Sequence, residues 1–80
     1  MTVETSKWLE RFAARLGVAP PNPEEQDLLL GLAGVAAHTS ERTAAPISCW
    51  LAARSGTPLA DASRAAKQVA DEIAAERQAT

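Results

Sequence analysis

The residues in this chain best suited to chemistry form a short polar cluster at positions 38–42, between two hydrophobic segments. If a helix continues through the cluster, His38 and Arg42 lie one turn apart on the same face. If the helix ends at Thr39, Arg42 lies beside the start of the next helix. There its guanidinium, the Thr43 hydroxyl and free backbone N–H groups can converge on an anion. The cluster therefore predicts phosphate or carboxylate binding.

A structural interpretation of the same cluster competes with anion binding. His38 can cap the end of the preceding helix, and Arg42 can hold the loop through backbone carbonyls or through Glu41. We favour this interpretation, because polar residues in such loops usually satisfy the local backbone. An Arg42→Ala variant distinguishes the two hypotheses, since loss of stability without loss of binding contradicts the anion site.

Other kinds of chemistry find little support in the residues present. His38 could activate Ser40, Ser48 or Cys49 as a nucleophile, but the sequence contains no Gly-x-Ser-x-Gly motif. A transition-metal site needs several His or Cys ligands, and the chain has one of each. The four glycines form no Gly-x-Gly phosphate loop. We therefore expect no catalytic residue, no metal ligand and no cofactor, and we interpret Cys49 as a small buried side chain.

Length and composition limit the classes of protein to which the chain can belong. It has 80 residues, a mass of 8.4 kDa and a formal net charge of −2, which predict a single helical domain over residues 1–80. The acidic balance argues against nucleic-acid binding. The absence of a long apolar run or a signal-peptide pattern argues against membrane attachment or export. With one cysteine and therefore no disulfide framework, we expect a cytoplasmic protein.

The apolar residues recur at helical spacing, and no stretch alternates as a half-buried strand does. We predict an all-α fold, a compact four-helix domain with helices over about residues 4–16, 23–39, 46–55 and 58–76. Gly17 suits the left-handed position that ends the first helix. Asn22, Pro23 and Glu25 predict the start of the second helix by an N-cap, a proline at the first position and a capping box.

The second and third helices carry further predictions. Leucines at positions 28, 29, 30 and 32 cover more than one face of the second helix, so we expect it to be central, with neighbours on two sides. We interpret Gly31 and Gly34 as making room for the close approach of another helix. Pro46 either opens the third helix or lies in the first turn of a helix that begins at Thr43.

The fourth helix presents a narrow apolar seam that is mostly alanine. Its members are Leu59, Ala62, Ala66, Val69 and Ile73. Such a seam allows close packing and contributes little burial, so we expect the end beyond Ile73 to fray. The same seam could support self-association.

The two tryptophans are the largest side chains available to fill a core. Trp8 shares a helix face with Phe12 and Leu16, which predicts that Trp8 is buried. Trp50 is open to either interpretation, because Ile47 and Leu51 can already define the buried face of the third helix. An exposed Trp50 would instead mark the centre of an interface.

The core is expected to be marginal. Eighteen of the hydrophobic residues are alanine, which leaves nineteen larger ones. Burying most of these at about 1.5–3 kcal/mol each is offset by the entropy of ordering the chain. The net stability should be small, and docking on a partner would add burial that the isolated chain lacks.

Several residues resemble those of a small bacterial domain family of unknown function, found alone or fused C-terminal to MobA-like nucleotidyltransferases. The resemblance rests on Trp8, on Leu16-Gly17-Val18, on the leucine-rich residues 28–32 and on the spacing Ala37-His38-x-x-x-Arg42-x-x-x-Pro46. It covers roughly residues 8–56, and the fourth helix adds almost nothing to it. The resemblance implies an association with molybdenum-cofactor guanylylation, the reaction of the fused enzyme.

These observations predict a non-enzymatic accessory or interaction domain, associated through the resemblance with molybdopterin-guanine dinucleotide synthesis. Its expected partner is a MobA-like nucleotidyltransferase or a second copy of itself. The candidate binding residues are His38, Arg42, Thr43, Pro46 and Trp50. One alternative is a module that binds an anionic, phosphate-bearing metabolite through the His38/Arg42 loop. A weaker alternative is a helix-turn-helix DNA-binding protein, for which the last helix has mixed rather than basic charge.

Overall fold

The structure is a computed structural model that describes residues 4–79. Its helices are α1 (Thr5–Leu16), α2 (Pro23–Thr39), α3 (Ala44–Ser55) and α4 (Leu59–Ala79). No strand occurs among these described residues. The prediction of an all-α fold with four helices is confirmed.

The predicted capping signals form the expected local structures. Gly17 ends α1 with φ 76°, and the Val18 N–H donates to the Ala13 carbonyl at 3.0 Å, which folds the chain back on the last turn. At the start of α2 the Glu25 N–H donates to Asn22 Oδ1 at 2.8 Å, and the Asn22 N–H donates to Glu25 Oε1 at 2.9 Å. The capping box is confirmed, and it satisfies backbone donors that the helix itself leaves unpaired.

The third helix begins at Ala44, so Pro46 lies within its first turn, and the predicted start at residue 46 is two residues late. The Ala44 and Ala45 N–H groups donate to the carbonyls of Glu41 and Arg42, at 2.9 and 3.1 Å. These bonds form a turn that leads directly into the helix. Proline is tolerated there because the first turn of a helix has N–H groups without intrahelical partners.

The central position predicted for α2 is confirmed, since α3 and α4 both pack against it. Leu32 lies at the centre of this packing and is only 3% exposed. The fourth helix continues to Ala79, so the expected fraying beyond Ile73 is wrong. The Arg77 guanidinium donates to the Thr39 carbonyl at 3.1 Å, which ties the end of α4 to the end of α2.

The alanine seam of α4 faces inward, except that Ala70 takes the inward position predicted for Val69. Ala62 is buried and Ala66 is partly buried, whereas Val69 is 50% exposed and Ala70 takes the inward position. Ser63 is also buried, at 7% exposed. The seam repeats every 3.5 residues, whereas an α-helix has 3.6 residues per turn, so the seam gradually turns around the helix. By the third turn Ala70, rather than Val69, lies on the inward side. The inward side of the seam packs against α2, and Val69 remains exposed beside it.

The first helix stands apart from the other three. Within the described chain, no Cα atom of α1 lies within 8 Å of a Cα atom in another helix. Leu9 and Ala13 face the rest of the molecule, and Leu9 lines a cavity of about 230 Å³ with Leu29 and Leu30 of α2. The prediction that Trp8 is a core residue is wrong, because it lies beside this inward stripe and is 58% exposed.

The molecule is flat, with principal extents of 47 × 31 × 18 Å. Two packed helices whose axes lie about 8–10 Å apart are about 18–22 Å thick with their side chains, so the thinnest dimension corresponds to about two layers of helices. The chain presents 6543 Å² of accessible surface. A well-packed monomer of this mass presents about 4,600 Å², roughly 1,900 Å² less. The marginal core expected from the composition therefore appears as large apolar side chains left at the surface.

Candidate functional site

The two candidate binding residues of the polar cluster, His38 and Arg42, are both exposed. His38 lies in the last turn of α2 and Arg42 lies in the turn before α3. Neither side chain forms a hydrogen bond or ion pair with another residue in the range 4–79. The cap on α2 comes from Arg77 instead. His38 therefore lies at the end of α2, as the structural interpretation expects, but the hydrogen bonds that this interpretation assigns to His38 and Arg42 are not formed.

Most of the backbone N–H groups that the anion hypothesis requires in the same turn cannot donate to an anion. The Ala44 and Ala45 N–H groups already donate to carbonyls within the turn, and Pro46 has no N–H. Thr43 occupies the N-cap position with helical backbone angles, and its hydroxyl makes no capping bond. Of the groups expected to converge on an anion, the Arg42 guanidinium and the Thr43 hydroxyl remain able to bind one.

His38 lies along an open groove between α2 and α4. The groove has a volume of about 500 Å³, and its lining includes Gly31 and Gly34 on α2 and Lys67 and Asp71 on α4. A Cβ atom added at either glycine would meet no atom within 4 Å. The prediction that these glycines allow close helix packing is therefore wrong, because they face open space.

Gly31→Ala and Gly34→Ala are each expected to raise the free energy of unfolding by about 0.5–1 kcal/mol, since alanine orders a helix at lower entropic cost and clashes with nothing here. Urea denaturation followed by circular dichroism measures the change. Gly17→Ala is the control, because φ +76° there is strained for alanine and stability should fall by about 1 kcal/mol. A loss of stability at residue 31 or 34 comparable to that control would show that the groove is closed in solution.

Three of the five predicted binding residues lie on one face of α3. Thr43, Pro46 and Trp50 follow one another at helical spacing along the side that points away from α2. Ile47 and Leu51 lie on this side too, at 60% and 56% exposed, so the prediction that they define the buried face is wrong. We call Ile47, Trp50 and Leu51 the outer face of α3.

The residues of α3 that pack inward are all small. They are Ala44, Ala45, Ser48, Cys49 and Ala52, each partly buried. The Cys49 thiol lies 4.0 Å from the Leu29 carbonyl, which places this side of α3 against α2. Small side chains let the helices approach closely, and the bulky ones are left outside. The small-residue stripe was the signal in the sequence that could have identified the inward side.

Trp50 is exposed, which decides the question that the sequence left open. Its indole is 57% exposed, and the Arg54 guanidinium lies 5.0 Å from the ring centroid. This cation–π contact holds the ring against the helix surface. An exposed tryptophan among aliphatic neighbours is typical of an interface centre.

A second apolar surface lies on α1, where the sequence predicted core. Trp8 and Phe12 stack with ring centroids 5.6 Å apart and an interplanar angle of 17°. Both rings are about half exposed, and Leu16 and Val18 continue the same surface at 60% and 59% exposed. We call Trp8, Phe12, Leu16 and Val18 the aromatic face of α1. The sequence offered no signal that distinguishes this surface from a core stripe, because an amphipathic helix shows the same pattern of apolar and charged residues in both cases.

Residues 4–79 contain no group of three or more His, Cys, Asp or Glu side chains placed to hold a metal ion. Over the same residues, every helix is too short or too polar to cross a membrane.

Comparison with known proteins identifies one family. The model of a domain of unknown function, DUF6457, matches residues 2–80. No curated protein and no solved structure matches the chain.

Proposed function

We propose that this chain, which belongs to the DUF6457 family of domains of unknown function, is an accessory domain that docks on a catalytic protein through the aromatic face of α1. The observation that carries the proposal is the exposure of Trp8, Phe12 and Leu16, at 58%, 49% and 60%. Water around stacked aromatic rings is costly, and covering them is favourable by about 25 cal/mol per Å². A domain with few large residues to bury gains most from such a contact.

The charges beside the aromatic face indicate the chemistry of the partner. Lys7, Arg11 and Arg15 are exposed on α1, and Glu10 is the only acidic residue within the helix. An apolar groove with an acidic rim complements this arrangement, because opposite charges at a rim steer association and fix orientation. Aromatic residues and arginine are also enriched at the centres of protein interfaces.

The resemblance drawn from the sequence supplies a partner class, the MobA-like nucleotidyltransferases of molybdenum-cofactor guanylylation. The two proteins would divide the work between them. The nucleotidyltransferase would bind nucleotide and catalyse transfer, since this chain has no glycine-rich phosphate loop. The small domain would contribute an ordered helical surface that is stabilised by docking.

Thermal melting of the purified chain with and without a MobA-like nucleotidyltransferase tests the proposal. Partner at about 100 times Kd adds about 2.7 kcal/mol to the free energy of unfolding. In a domain of this size that raises Tm by more than about 10 °C. An unrelated acidic protein at the same concentration is the control and should leave Tm unchanged. A melt that the nucleotidyltransferase does not shift contradicts the proposal.

A further inference from the structure

An apolar groove lies directly beside the outer face of α3. It has a volume of about 320 Å³ and runs between α3 and α4, with Leu32 among the residues that line it. Leu51 and Ala52 line one side, and Ala66 and Val69 line the other. The same surface therefore combines protruding side chains with an open apolar hollow.

From this juxtaposition we propose that the chain forms a symmetric homodimer through the outer face of α3. In a two-fold arrangement, Trp50 and Ile47 of each copy enter the α3–α4 groove of the other. Every contact is then made twice, which is the requirement for a closed isologous interface. This dimer uses a surface different from the aromatic face of α1, so it stands or falls independently of the proposed function.

The accessible surface area of the chain is large enough for a second copy to bind. A typical stable interface takes about 800 Å² from each partner. The chain presents 6543 Å², which is roughly 1,900 Å² above the value for a well-packed monomer of its mass. An interface of that size would remove less than half of this excess.

The distribution of charge explains why α3, rather than α1, pairs with its own copy. Arg54 is the only charged residue of α3, and its guanidinium already lies over Trp50. Interfaces between identical chains are depleted in charge at their centres, as this face is. Pairing two copies of α1 would bring Lys7, Arg11 and Arg15 of one near the same cations of the other. Like charges in such a contact repel.

Light scattering coupled to size-exclusion chromatography tests the dimer with the full chain. Wild type is expected to elute with a mass of about 17 kDa, twice the monomer mass of 8.4 kDa. Trp50→Ala removes the side chain that enters the groove and should weaken dimerisation at least about 30-fold, which lowers the mass toward that of the monomer at concentrations where wild type is dimeric. Trp50→Phe keeps an aromatic ring and should remain largely dimeric. Trp8→Ala is the matched control, since Trp8 is equally exposed and lies outside this interface.

Each outcome decides the proposal. A wild-type mass of 8.4 kDa at every concentration overturns it, as does a Trp50→Ala variant that remains dimeric or a Trp8→Ala variant that becomes monomeric. Circular dichroism shows whether Trp50→Ala is still folded. If it is unfolded, the wild-type Tm must rise with protein concentration, because dimerisation then supports the fold. A Tm independent of concentration contradicts the dimer.

Discussion

Replacing Leu32 with alanine is expected to lower the free energy of unfolding by 2–5 kcal/mol, which is enough to unfold a marginal domain. Leu32 is 3% exposed, and the other hydrophobic residues buried within the described chain are Ala13 and Ala62. The substitution leaves a cavity where α2 meets α3 and α4, and no neighbouring large side chain is buried deeply enough to share the loss.

Urea denaturation followed by circular dichroism measures the effect of Leu32→Ala. Leu30→Ala is the matched control, because it makes the same change two residues away on the same helix at a side chain that is 70% exposed. It should alter stability by less than about 0.5 kcal/mol. Equal effects at the two positions would contradict the packing around α2.

Trp8→Ala is expected to weaken docking on the nucleotidyltransferase by at least about 30-fold, or 2 kcal/mol, because a tryptophan at an interface centre carries a large share of the binding energy. The variant also loses the stack with Phe12, which should lower stability by only about 0.5–1.5 kcal/mol. Titration calorimetry with the partner measures the affinity, and circular dichroism verifies that the variant is folded.

The matched control for docking is Trp50→Ala, which removes an equally exposed indole from the other surface. Its affinity for the nucleotidyltransferase should stay within about threefold of wild type. An affinity that Trp8→Ala leaves unchanged would show that the aromatic face of α1 is not the docking surface. A loss confined to Trp50→Ala would move docking to α3.

Local chemistry made the end of α1 and the start of α2 predictable. Gly17 with Val18, and Asn22 with Glu25, act through bonds to residues three to five positions away, so the sequence contains both partners. The end of α4 was not predictable in the same way. The end of α4 is stabilised by a contact between Arg77 and Thr39, which lies 38 residues earlier, and the local sequence does not predict such a contact.

The direction in which each helix faces was predictable only in part. The apolar stripes of α1 and α3 were visible, but which stripe turns inward depends on how closely the helices approach. In α3 the small residues take the inward side and Trp50 the outward side, because α2 already supplies Leu32 to the centre of the fold. The general rule that large apolar residues lie inside fails in α3, where small residues occupy the side that packs closely against α2.

The candidate site was also predictable only in part. The sequence drew attention to Thr43, Pro46 and Trp50, and the structure places all three on one exposed face of α3. His38 lies instead along the α2–α4 groove. Residue types and spacing indicate which groups are chemically capable. They do not show which backbone donors a turn has already used, as Ala44 and Ala45 demonstrate.

The measurement that tests the account most directly is fluorine NMR of the chain labelled with 5-fluorotryptophan. The sequence contains two tryptophans, Trp8 and Trp50, and so gives two resonances, which the single-tryptophan variants assign. Addition of unlabelled MobA-like nucleotidyltransferase is predicted to shift or broaden the Trp8 resonance and to leave that of Trp50 unchanged. If the Trp8 resonance stays where it is at saturating partner, the aromatic face of α1 is not covered, and the docking function proposed for it is wrong.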